Sequence, residues 1–196
     1  MNFESLKDKT WAEINEKIHA SPITAIYQRE FTTSGDRDIQ IHLFTTLIKV
    51  AWIDRDLSKL EYAYIIKKIG RLLREDDQNL LKQQFNLVST MVRKNVKSRE
   101  FIPWHVAFLA KKLGDNTSKF MDILVGLISA DDKMDKREEA FLDDFAELVG
   151  VDGKELQELK VNCRFRLMEF QKDENIPEEE AKTPQPLPEI KLELDF

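Results

Sequence analysis

The chain has 196 residues, 42% hydrophobic and 34% charged, which suits one domain or one domain with a tail. Its one cysteine, Cys163, excludes a disulfide framework, a cysteine-based zinc site and a CxxC redox pair, and only six glycines argue against a Rossmann or P-loop architecture. The formal charge is −6, and residues 173–196 carry all of it through eight acids and two lysines, so residues 1–172 are neutral and offer a poor electrostatic match to nucleic acid.

No apolar run approaches the roughly 18–20 residues of a membrane span. Met1–Ser21 mixes acids, bases and Trp11, unlike a targeting peptide. A cytoplasmic protein is therefore expected. Residues 1–35 read as an N-terminal helical extension, with Ser21 as N-cap and Pro22 at the first position of a short helix through Tyr27. Thr32–Gly35 reads as a loop. Apolar residues then recur every three or four positions, as in Leu43, Leu47 and Val50, so the body is predicted helical throughout. Helices are predicted from about Asp36 to Ile53, Ser58 to Leu73 and Asp77 to Val96. The next starts near Pro103 and ends at Leu113-Gly114, where glycine suits the left-handed cap. Thr117–Ser129, Asp135–Val149 and Asp152 to about Lys172 complete the series.

Residues 172–196 form an acidic tail with four of the six prolines, too poor in apolar surface to offset its ordering entropy, and disorder is expected there. Its end alternates apolar and charged residues. Ile190, Leu192, Leu194 and Phe196 suit a strand added to a partner's sheet edge, so protein partners are expected at this segment.

The chain repeats itself. A shift of 77 residues aligns Leu47–Glu61 with Leu124–Glu138. Each copy is an apolar helix end, an aspartate (Asp54, Asp131), an apolar residue three later and a glutamate seven later (Glu61, Glu138). The following helices match too, Ile65 with Leu142 and Ile69 with Ala146. Two such helical hairpins related by a pseudo-twofold axis would bury their apolar faces in one bundle.

The second copy, Ala130-Asp131-Asp132-Lys133-Met134-Asp135-Lys136-Arg137-Glu138 with Leu148-Val149-Gly150-Val151 downstream, resembles the tellurite-resistance TerB family. That family's pattern is roughly Ala-Asp-Gly-x-apolar-x-x-x-Glu. The first copy follows it through Ile53-Asp54-Arg55-Asp56-Leu57 and Glu61, with Arg55 and Asp132 standing where the family has glycine. The resemblance implies an all-α, pseudo-twofold bundle of about seven to nine helices over residues 36–171. It also implies a link to tellurite or general stress responses, and a divalent-metal site at the motif acids.

Two readings of those acids stand side by side. As hard oxygen donors, Asp54, Glu61, Asp131 and Glu138 suit Ca²⁺ or Mg²⁺, with Asp56, Asp132 and Asp135 as further ligands. An EF-hand is excluded, because the sixth and twelfth loop positions counted from Asp54 are Lys59 and Ile65. Without any ion, Ser58-x-x-Glu61 and Asp135-x-x-Glu138 have the form of capping boxes. His42 and His105 read as packed side chains, Trp52 as a core anchor, and Arg93, Lys94, Lys97 and Arg99 as a basic patch. No nucleophile–base pair or cofactor loop is visible, so a non-enzymatic module is expected, either cation-binding or a metal-free adaptor.

Overall fold

The computed structural model describes residues 3–31, 38–53, 57–128 and 136–188. They are all-α, with no strand among the described residues. Three helices precede the repeated region: α1 (Glu4–Lys7), α2 (Trp11–His19) and α3 (Pro22–Glu30). The body continues with α4 (Asp38–Ala51), α5 (Lys59–Leu73), α6 (Gln78–Lys94), α7 (Val96–Arg99) and α8 (Ile102–Leu113). It ends with α9 (Thr117–Ile128), α10 (Lys136–Val149), α11 (Gly153–Asp173) and α12 (Glu178–Ala181).

Local chemistry sets these bounds. Thr10 opens α2 with a capping box: the Glu13 amide donates to the Thr10 hydroxyl, and the Glu13 carboxylate accepts from the Thr10 amide at 2.8 Å. Asp77 and Asp152 accept two amides each at the starts of α6 and α11. Gly150, with φ 78°, ends α10 in a left-handed turn whose Val151 amide donates to Ala146 O at 2.9 Å. Ser21 holds the N-cap position of α3 with Pro22 behind it, as the sequence predicts, but its hydroxyl caps nothing. That hydroxyl is bonded to His105 instead, 2.9 Å away.

The 77-residue repeat is legible in the helix ends. α4 stops at Ala51 and α9 at Ile128; α5 starts at Lys59 and α10 at Lys136. The burial repeats as well: Ile65 and Leu142 are fully buried, as are Leu47 and Leu124. α4 packs on α6 as α9 packs on α11. α8 lies against α4 and ties the two units together. One core joins all of it, and Phe3, Ile14 of α2 and Ile23 and Tyr27 of α3 belong to that core.

The tail departs from the expectation of disorder over residues 173–188. Asn175, left-handed at φ 51°, ends α11, and the chain then turns back across the start of α5. The Lys59 amide donates to Thr183 O at 2.9 Å, and the Gln185 amide to Leu57 O at 2.8 Å. Ala181 is buried, and Ile176 and Leu187 rest against the core. Those apolar residues and borrowed backbone bonds offset the ordering cost that composition alone leaves unmet. The apolar segment with Ile190, Leu192, Leu194 and Phe196 lies outside the described residues.

Ser58 serves both features, as cap of α5 and as neighbour of the returning chain. Ser58→Ala is expected to cost about 1 kcal/mol in a urea titration, the usual value of an N-cap hydroxyl. A cost within error would show that the backbone contacts from the tail hold this corner without the cap.

Candidate functional site

The acidic corners join α4 to α5 and α9 to α10. Asp54 and Asp56 in the first, and Asp131, Asp132 and Asp135 in the second, lie outside the described residues. The two glutamates are described, each as the third residue of its helix. Glu61 closes a complete capping box. Its amide donates to Ser58 Oγ at 3.2 Å, and its Oε2 accepts from the Ser58 amide at 2.7 Å. One Glu61 oxygen therefore has a structural task, as the metal-free reading expects. Glu138 sits half-buried in the first turn of α10.

The charges of residues flanking the two corners act on one another. Lys49, in the last turn of α4, is half-buried, and its ammonium pKa is lowered by desolvation first, then by the Arg99 and Arg137 charges. Arg137 belongs to the first turn of α10, so the helix entering the first corner and the helix leaving the second are close enough for their cations to repel. Arg93 joins this group from α6, its guanidinium 3.8 Å from the centre of the Trp52 ring. Trp52 is the anchor the sequence suggests, with a buried indole N–H that has no hydrogen-bond partner among the described residues. Arg99 donates to Arg93 O at 2.6 Å and to Val92 O at 3.4 Å. Arg93 and Arg99 of the predicted basic patch are thus built into the fold.

A second polar constellation escapes sequence reading. His42 on α4 and His105 on α8 are both buried, as expected of packed histidines, but they are also bonded to each other. Their Nδ1 atoms are 3.0 Å apart, and His105 Nε2 is 2.9 Å from Ser21 Oγ. One proton order determines the next: if Ser21 donates to His105, then His105 donates to His42, and the reverse holds if His105 donates to Ser21. Burial holds both imidazoles neutral. His42 lies well below its usual pKa through desolvation, with the His105 and Lys112 charges adding to it, and desolvation lowers His105 to about 3. His42 also stacks on Phe108, with centroids 3.9 Å apart, beside a cleft of about 110 Å³. No local signal marks this pair, because its members are 63 residues apart and each sits alone on an apolar helix face. His19 is exposed.

No helix of the described residues is long and apolar enough to cross a membrane. Comparison with known proteins adds a family. No curated protein and no solved structure matches the chain. The family model described as tellurite resistance protein TerB matches residues 40–161, which span α4 to α11, both acidic corners and the helices repeated around them. With that match over more than half its length, the chain belongs to the TerB family of tellurite resistance proteins.

Proposed function

We propose that this TerB-family chain is a non-enzymatic module of the tellurite and stress response that holds a divalent cation at its duplicated corners. What supports it is an electrostatic link across the two corners: burial first, then the Arg99 charge and the Arg137 charge after the second corner, lower the pKa of Lys49 before the first. Equivalent helix ends stand on either side of both corners, and Asp54 and Asp131 are equivalent positions of the repeated sequence. The donor set is all carboxylate, which fits a hard cation such as Ca²⁺ or Mg²⁺. Asp54, Asp131 and Glu138 are the ligands of this reading. Glu61 is secondary, since its Oε2 is engaged by the Ser58 amide. A bound cation would neutralise charge among the carboxylates that ligate it.

Calorimetric titration with Ca²⁺, Mg²⁺ and Zn²⁺ tests it. Wild type is expected to release heat with one of them. At a free concentration tenfold above Kd the cation adds about 1.4 kcal/mol. For a protein of this size that raises the melting temperature by roughly 3–6 °C. Asp54→Asn/Asp131→Asn is expected to abolish both effects. No heat and no melting shift with any of the three ends the cation reading.

A metal-free adaptor is the second reading, and the cationic group of Lys49, Arg99 and Arg137 favours it. Lys49 is half-buried among like charges, and Asp54 is the acid nearest to it in sequence. In this reading Asp54→Asn/Asp131→Asn lowers the melting temperature in metal-free buffer. The protein then acts by docking partners on its helical surface and its terminal segment.

A further inference from the structure

A groove of about 730 Å³ opens between the second half of α5, the start of α9 and the middle of α11, away from the acidic corners. Its apolar lining comes from Leu72, Ile123 and Leu159. Its cations are Lys68, Arg71, Arg74 and Lys119, set against one acid, Asp122. Arg71, Arg74 and Lys119 are exposed and have no ion pair among the described residues. Arg74 is held on the rim by the end of α5. It adopts a left-handed φ of 55°, and the next amide, Glu75, closes the turn on Gly70 O at 2.9 Å. In a body of zero net charge, this is a local excess of positive charge around an apolar floor.

We propose that the groove is the docking site of the chain's own terminal segment, residues 189–196. Three observations single out this occupant. The first is charge: Glu189, Glu193 and Asp195 outnumber Lys191, opposite in sign to the groove. The second is pattern. Ile190, Leu192, Leu194 and Phe196 alternate with the charged residues, so an extended chain presents an apolar edge to the floor and its acids to the basic walls. The third is reach. Gln185 is bonded to Leu57 at the start of α5, so the segment sets out from that end. From Ser58 to Arg71 the helix rises ~20 Å. Eight extended residues span ~26 Å, enough to run from one end of α5 to the groove. The segment then acts as a strap that fills the groove until a competing acidic, apolar-rich peptide displaces it.

The test uses the full chain with a photoactivatable leucine in place of Leu194, and mass spectrometry of the crosslinked peptides. Crosslinks are expected on residues 68–74 or 116–123, and within one chain when isotopically light and heavy protein are mixed. Arg71→Glu/Lys119→Glu is expected to lower the yield about tenfold, as two screened attractions turn repulsive. The milder Arg71→Gln/Lys119→Gln is expected to lower it in the same direction, should the reversal unfold the protein. Lys94→Glu/Lys97→Glu, in the other basic patch, is expected to leave it unchanged. Crosslinks elsewhere on the chain overturn the proposal. So do mixed light–heavy crosslinks, which would make a second copy the occupant, or a yield indifferent to all charge changes in the groove.

Discussion

Acidification from about pH 7.5 to about pH 5 is expected to remove roughly 4 kcal/mol of stability through His42 and His105. Both imidazoles are neutral in the fold because burial opposes their charged form. In the unfolded chain each titrates near the ordinary value of 6.5. Above that value neither state carries the protons and the contribution of the pair is complete. Below it the unfolded chain takes up protons that the fold refuses, so stability falls by ~1.4 kcal/mol per pH unit for each histidine. For His105 the decline continues down to its folded value of about 3. A loss of that size is a large part of a typical total of roughly 5–15 kcal/mol.

Urea midpoints across this range measure it. The double variant His42→Phe/His105→Gln keeps an aromatic ring on Phe108 and an amide within reach of Ser21, and it is expected to flatten the pH dependence below about pH 6.5. His19→Gln, at an exposed position, is expected to leave the dependence unchanged. A wild-type slope no steeper than that of the double variant would mean that the pair takes up protons within the fold.

Gly126→Ala is expected to cost about 2 kcal/mol net, although alanine is the better helix former by about 1 kcal/mol. A Cβ built on Gly126 of α9 would lie 2.2 Å from the hydroxyl oxygen of Tyr64 and 3.0 Å from the ring carbon that bears it. Tyr64 is fully buried on α5 and lies edge-on to Phe170 of α11, with centroids 5.3 Å apart, so it has little room to retreat. Steric overlap at the upper end of the usual overpacking penalty outweighs the gain in propensity. Removing the hydroxyl removes the worst contact. In the double variant Tyr64→Phe/Gly126→Ala the two changes are expected to be strongly non-additive, with the alanine now nearly neutral. Equal costs of Gly126→Ala in the tyrosine and phenylalanine backgrounds would place the strain elsewhere.

The tyrosine contact explains an asymmetry between the repeats. Gly126 corresponds to Lys49 under the 77-residue shift, so equivalent places hold the smallest side chain in one copy and a half-buried ammonium in the other. In the second unit α9 admits Tyr64 at close range. In the first, the same helical position carries an ammonium whose pKa is lowered by burial and then by the Arg99 and Arg137 charges. The duplicated frame persists while the contents of its two halves have diverged.

Most of the helices were legible because their signals are local. Apolar spacing, capping residues such as Ser58, Asp77 and Asp152, and stops such as Gly114 and Gly150 act within a turn or two of the backbone. The repeat was legible for the same reason, since similar short signals recur at a fixed offset. At the candidate corner the form of the Ser58–Glu61 capping box could be read directly. The charges that act on Lys49 could not, because Lys49, Arg99 and Arg137 come from three separate helices.

The amino-acid sequence by itself determined the all-α class, the paired hairpins, the family and the acidic corners, all of which follow from interactions between near neighbours in the chain. Only the tertiary structure decided that Ser21 bonds to His105 rather than capping its helix, and that the two histidines are hydrogen-bonded to each other. It also decided that residues 173–188 pack on α5 and that Tyr64 requires a glycine opposite. Each of these depends on which distant side chains share a low-dielectric or close-packed space, and that is set by how the helices dock rather than by the pattern along any one of them.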